Sequence, residues 1–383
     1  MNRRRGLPHR AWLRLALLGV MLLAACSPSP TASGSPTPRP SRTATPTPTP
    51  SPTPTPRPSP PALAAAGGIQ VPAGFQAYVY ASGLSEITAM AYGPDGRLYA
   101  TAATGALWVV PAPGQGAQLI RSGMPTALGL VWRGADLFVS VRGSIRAFHL
   151  SGGALQGGET VVAGLPVGRH QNDNLLLLPN GDFLVGAGST CDVCNEADAR
   201  SATVLRYHGD WSYAGIVVRG ARNPYGLAFR SSEQRAYVTV NGQDNLGAQP
   251  ADELLPVVDG ENAGWPRCWP SYPDGALHGS CAGVSPPTAV FTPHSSADGI
   301  VFYGSTEFPA AYRDNAFVTE WGANVGGPVG RRVERVVMSS APAQVSDFAT
   351  GFSHPLAVAV GEDGGLLVGD YGTGQIIEIF NLG

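Results

Sequence analysis

Histidine is scarce in this chain, seven in 383 residues. Yet His170, His294 and His354 stand at equivalent points of one repeated segment, and Arg222 with Asn223 stands at a fourth. Imidazole gains and loses protons near neutral pH, and a guanidinium grips flat carboxylates through paired hydrogen bonds. Three histidines and an arginine gathered on one rim are not expected by chance in a chain with so few histidines. The segment that carries them is clearest at 213–229, YAGIVVRGARNPYGLAF: a short apolar strand, a glycine, a polar loop and a second apolar strand. Copies run over 75–92, 117–132, 158–178, 286–303 (proline replacing the glycine) and 344–360. Aligned, the six loops offer Glu86, Thr126, His170, Arg222 with Asn223, His294 and His354.

The elements between the loops must position them. After each entering strand comes a turn such as GPDGR, PNGD or DGG, then apolar runs such as LYAT, FLVG and LLVG, and a third strand such as ATVLRYH or QIIEIF. Alternation with Asp-Gly and Asn-Gly turns marks strands and hairpins. Units of about 40–45 residues with four strands each mark propeller blades. Six units predict an all-β, six-bladed β-propeller with four-stranded antiparallel blades. Its inner strands begin near Ala89, Gly129, Leu175, Leu227, Ile300 and Val358, and the strand near residue 75 completes the last blade. In that geometry the six junction loops share one face with the hairpins between second and third strands. Three of those hairpins, at 186–202, 240–253 and 320–332, are far longer than a turn requires, and long loops on a rigid scaffold usually carry function.

A basic start, an apolar run and Leu-Ala-Ala-Cys at 23–26 read as an export signal over 1–25. The cysteine makes it similar to a bacterial lipoprotein signal, with Cys26 acylated, against an ordinary signal peptide with a chance cysteine. The Pro/Thr/Ser-rich stretch 26–66 is an extended spacer, and 67–383 is the propeller. The protein is therefore expected to be exported and held at the membrane or envelope only through its lipid. Net charge is −2, lysine is absent and no basic run occurs, which argues against nucleic acid. Cys191, Cys194, Cys268 and Cys281 form an even set in an exported chain, and two local disulfides are expected. CDVC at 191–194 also leaves open zinc or redox chemistry; Asn195 stands where a c-type haem site needs histidine. His149 and His208 fall at third-strand ends away from the loops, and the Trp265-Pro266 box reads as packing.

RHQNDNLLLLPNGDFLVGAG, RGARNPYGLAF, DELLPVVDGENAGWPRC and LAVAVGEDGGLLVGDYGTGQIIEI, in this order, resemble the pyrroloquinoline-quinone-dependent glucose/sorbosone dehydrogenase family over about 70–383. The resemblance implies a cell-envelope quinoprotein that oxidises an aldose at its anomeric carbon and passes electrons to an external acceptor. His170 would be the catalytic base. Arg222, Asn223 and Arg331 or Arg332 would hold PQQ, and Gln243, Asp244 and Asn245 would hold Ca²⁺. Tyr225 would line the sugar pocket, and the rim position of His294 and His354 fits either a place in that pocket or the capping of strand ends. The chain departs from the family where Tyr225 replaces a frequent glutamine, in the 243–247 loop, and in its missing lysine. The other reading is a non-catalytic propeller that binds a carbohydrate or protein partner; a calcium-dependent lactonase would need more rim carboxylates than Glu86 alone.

Overall fold

In the computed structural model the described residues are 63–323 and 329–383, all within one compact unit. Cys26, the signal and most of the spacer lie outside them. Six antiparallel four-stranded sheets form the blades. Their inner strands are Ile87–Tyr92, Gly129–Arg133, Asn172–Leu177, Asn223–Arg230, Ala297–Phe302 and Pro355–Val360 for blades 1 to 6. Each inner strand packs against those of the blades before and after it, and the ring closes between blades 6 and 1. The closure is the one the repeats required: Phe75–Ala81 pairs with Gln375–Asn381, from Phe75 opposite Asn381. Among the described residues the only helical element is a 3₁₀ turn at Ala310–Tyr312.

The fold has six cores rather than one, each between two neighbouring blades. Tyr99, Leu107 and Leu137 fill the gap between blades 1 and 2. Phe138, Ile145 and Phe183 do so between 2 and 3, and Phe317, Val333 and Leu366 between 5 and 6. A blade is therefore covered on both faces, so second strands such as Phe183–Ala187 and Ala316–Glu320 are buried at every residue. This is why the sequence shows unbroken apolar runs there instead of polar alternation. Burial of apolar surface on both faces is worth about 25 cal/mol per Å² removed from water. Hydroxyls lash the blades together as well: Thr239 of blade 4 donates to the Asp298 carbonyl of blade 5 at 2.5 Å, and Thr319 of blade 5 donates to the Leu356 carbonyl of blade 6 at 2.7 Å.

Two features differ from the sequence expectation. Residues 63–66 belong to the fold rather than to the spacer: Val79 N–H donates to the Ala64 carbonyl and Ala66 N–H to the Ala77 carbonyl, giving the outermost strand of blade 6 partners on its open edge. Blade 4 also holds an excursion between its third strand, Asp252–Pro256, and its outer strand, Ala289–Phe291. There Glu261–Asn262 pairs in parallel with the edge of blade 3, and Cys268–Pro270 forms a hairpin with Leu277–Gly279. The expected disulfides Cys191–Cys194 and Cys268–Cys281 are both present.

Candidate active site

His170 sits where the chain enters blade 3, on a loop zipped to the hairpin that follows the second strand of that blade. His170 N–H donates to the Ser189 carbonyl at 3.0 Å, Gly188 N–H to the Gln171 carbonyl at 2.8 Å, and Arg169 N–H to the Thr190 carbonyl at 2.9 Å. Gly188 must be glycine here: a Cβ would stand 2.4 Å from the Cβ of His170 and 2.7 Å from Asn223 Oδ1. Gly188→Ala is accordingly expected to push the imidazole out of place. Turnover should fall at least tenfold while the far-ultraviolet circular dichroism stays that of the wild type.

The imidazole Nε2 of His170 is buried and has no hydrogen-bond partner among the described residues. Burial, aided by the positive charges of Arg222 and Arg169 and partly opposed by Asp192, lowers the ring's pKa to about 3. The ring is thus neutral at any ordinary pH, and His170 lines a cavity of about 540 Å³. Arg169, Arg222, Asn241, Asp244, Asp252 and His294 share that cavity with it.

Arg222 is held by two acids. Its Nη2 lies 2.7 Å from Asp192 Oδ1 and 3.0 Å from Asp244 Oδ2, and its side chain is only 4% exposed. Asp192 is the second residue of the CDVC loop. The loop is fixed by its disulfide, by Trp265 Nε1 donating to the Asp192 carbonyl at 3.0 Å, and by Ser189 Oγ donating to the Cys191 carbonyl at 2.7 Å. The Trp265 box therefore does more than pack: it aims the disulfide loop at Arg222. Asp244 also receives Arg169 at 2.5 Å, and His294 Nδ1 lies 3.3 Å from its other oxygen. Behind this lattice Asp252 accepts the amides of Gly242 and Ala297. Burial nonetheless raises its pKa to about 6.

The sequence reading brings His170, Arg222, Asp244 and His294 together, with Asn223 just behind, its amide donating to Asn241 Oδ1 at 2.7 Å. Gln243 is buried beside them, and its amide donates to Asn245 Oδ1 at 3.0 Å. Other candidates lie elsewhere. His354 stacks on Trp321 at 4.2 Å and faces its carbonyl through Nδ1. Arg332 is committed inside blade 5, with Nε 2.7 Å from Glu320 and Nη2 2.9 Å from Glu334. Arg331 is exposed in a left-handed backbone conformation. Tyr225 is fully buried and outside the residues that line the cavity. Arg169, Asp192 and Asp252 were not picked out by the sequence reading, although RHQND, CDVC and DELLP contain them.

The residues suit a bound anionic quinone and an oxygen-ligated cation. Beside the cavity, His170 Nε2, Asn223 Oδ1 and Gln243 Oε1 are buried polar atoms without partners among the described residues, and two guanidiniums face it. Gln243 Oε1 and the Asp244 carboxylate are hard oxygens of the kind Ca²⁺ takes. Among the described residues, only Cys191, Cys194 and Glu196 gather three donors of the His/Cys/Asp/Glu type within metal-binding reach, and there the two sulfurs are bonded to each other.

A propeller with an arginine-rimmed, histidine-bearing cavity over its axis is the class the molecule defines. Residues 207–377 match the Glucose / Sorbosone dehydrogenase family, the family that the motifs resemble. An uncharacterized protein of Borreliella burgdorferi is 24% identical over 222 residues, which span 52% of this chain and 58% of that protein. Among solved structures, the iodide structure of the Trichoderma reesei family AA12 carbohydrate-active enzyme superposes with a TM-score of 0.71 at 17% identity, covering 84% of this chain and 98% of that one. The holo form of the pyranose dehydrogenase PQQ domain of Coprinopsis cinerea gives 0.70 at 16% identity, covering 82% and 97%. At these identities the likeness is one of fold.

Proposed function

We propose that this chain is a quinoprotein dehydrogenase that oxidises an aldose or related sugar at its anomeric carbon. The observation that carries the reading is the neutral, unpartnered Nε2 of buried His170 in a cavity it shares with two arginines. Arg169 and Arg222 would hold the carboxylates of PQQ. Gln243 and Asp244, with Asn245 behind them, would supply oxygens to Ca²⁺. When bound, the quinone supplies a two-electron acceptor for hydride. His170 would accept the proton of the anomeric hydroxyl at Nε2, where no internal hydrogen bond competes for it. The hydroxyl must lie within about 3 Å of Nε2 for that transfer.

Electrons would then leave to an external acceptor, with the chain held to the cell envelope through an acylated Cys26. Cys26→Ser is expected to move the protein from the membrane pellet to the soluble fraction. An unchanged pellet fraction would argue against the anchor.

Asp192 and Asp244 already neutralise Arg222, which favours a second reading: a propeller whose rim no longer takes an anionic cofactor and instead binds a carbohydrate or protein partner. One experiment separates them. PQQ and Ca²⁺ are added to purified protein, and quinone binding and sugar-dependent dye reduction are followed. Saturable binding with turnover supports the dehydrogenase. Absence of both, with sugar still retained on the protein, supports the binding module.

A further inference from the structure

Below the cavity, blades 3, 4 and 5 each open with a β-bulge in the inner strand: between Asn172 and Leu175, between Pro224 and Leu227, and between Ala297 and Ile300. The bulges are equivalent, so they set Asp173, Tyr225 and Asp298 at one level around the axis. The next residue of each bulge, Asn174, Gly226 and Gly299, lines a separate axial cavity of about 380 Å³. Asn241 links the two spaces: it lines the upper cavity and donates through Nδ2 to Asp298 Oδ1 at 3.2 Å. Asp173, Tyr225 and Asp298 therefore form a collar between the upper cavity and the axial one.

The collar is built at a cost that its own residues do not offset. Asp173 is 2%, Asp298 5% and Tyr225 6% exposed. Asp173 Oδ2 and the Tyr225 hydroxyl have no hydrogen-bond partner among the described residues. The equivalent bulges set the three side chains at one level, within electrostatic reach of one another although a whole blade separates Asp173 from Asp298. Among the described residues no cation acts on either carboxyl. The other charges acting on Asp298 are the carboxyls of Asp252 and Glu320. Buried carboxylates must be paired, protonated or bound to a metal, and protonation leaves the unpartnered tyrosine hydroxyl unexplained.

We propose that the Asp173–Tyr225–Asp298 collar is a calcium site on the propeller axis, distinct from the 243–245 loop. Two carboxylates match the charge of a divalent cation, and the phenolic oxygen adds a third hard donor. Ca²⁺ takes six to eight oxygens in flexible geometry, and the axial cavity beneath has room and polar groups for waters to complete the shell. The ion would tie three consecutive blades together at the floor of the site.

The test is made on chelator-stripped protein without quinone, so it does not depend on sugar oxidation. Bound calcium per chain is measured by mass spectrometry after equilibrium dialysis, alongside the melting temperature. Asp244→Asn should retain one calcium and a rise of roughly 5 °C at a hundredfold excess over the dissociation constant. Asp173→Asn with Asp298→Asn should lose that ion and the rise, while its calcium-free form melts no lower than the calcium-free wild type, since the amides replace carboxyls that burial disfavours in the charged form. Tyr225→Phe, which keeps the ring packing, should weaken calcium at least threefold. Asp244→Asn protein that binds no calcium overturns the proposal, as does a doubly substituted collar that keeps the wild-type stoichiometry and thermal shift. Should the double variant fail to fold, a Tyr225→Phe affinity equal to that of Asp244→Asn protein overturns it equally.

Discussion

His170→Asn is expected to lower sugar-dependent turnover by about 10²–10⁴-fold, the usual worth of a positioned acid–base group. Asparagine keeps a polar side chain of similar size, so the zipped loop at 168–171, whose bonds are backbone to backbone, should survive. What is lost is the free acceptor at Nε2. Quinone affinity should change little, because the partners proposed for its carboxylates are Arg169 and Arg222. Arg222→Ala should behave oppositely. It strips the buried cation from Asp192 and Asp244, and it should weaken cofactor binding before it touches the rate of bound enzyme. The pH profile adds an independent check. The sequence alone places the acid limb near the ordinary histidine pKa, whereas burial and two arginines move it to about 3. The imidazole itself should therefore impose no acid limb on turnover between pH 8 and pH 5. A His170→Asn enzyme with wild-type turnover would remove the base while leaving the fold untouched.

The ring of blades was legible because a blade buried on both faces leaves two marks in sequence: unbroken apolar second strands and a turn at regular intervals. Alignment of the junctions then placed His170, Arg222 and His294 on one rim without any knowledge of side-chain direction. What could not be read was how the rim neutralises itself. Asp192 sits inside CDVC, where the cysteines draw every reading toward disulfide, zinc or haem, and nothing periodic says that a loop apex faces a guanidinium of the next blade. Arg332 failed for a related reason. One residue of register decides whether an arginine leaves the blade or turns into it, and here Glu320 and Glu334 capture it. Tyr225 was read as a pocket residue because it follows the Arg-Asn box. It falls in the bulge between Pro224 and Leu227 and is buried away from the cavity instead, and bulges leave no reliable mark in a single sequence. The 257–288 excursion has short pairings and several prolines, so it offered no alternation to detect.

The second large effect expected is on stability, which should fall as pH rises from 6.5 to 8.5. Burial raises the pKa values of Glu253, Glu320 and Glu378 to about 8 and that of Glu334 to about 7, against about 4.3 in an unfolded chain. Arg332 lies between Glu320 and Glu334 and favours keeping one of them charged, so three glutamates, not four, are counted. A raised carboxyl binds its proton in the folded state and releases it on unfolding. Its contribution is therefore complete below about pH 4.3 and is lost as pH climbs through 7 to 8. His170 has the opposite sign. Its folded pKa of about 3 lies below the unfolded value near 6.5, so its contribution is intact above pH 6.5 and is lost on the way down to 3. Above pH 6.5, then, the glutamates act without opposition from His170. At about 1.4 kcal/mol per pKa unit traversed, the three together cost on the order of 3–6 kcal/mol between pH 6.5 and 8.5. That corresponds to a melting temperature lower by roughly 10 °C. The scan is run with chelator present, so that Asp173 and Asp298, also raised by burial, act with the same sign as the glutamates. Glu253→Gln and Glu378→Gln should each flatten the slope by about a fifth, since the amide carries no charge to desolvate and two glutamates and two aspartates still titrate. A melting temperature constant across this range, or one that rises, would mean that these buried carboxyls are ionised in the folded protein.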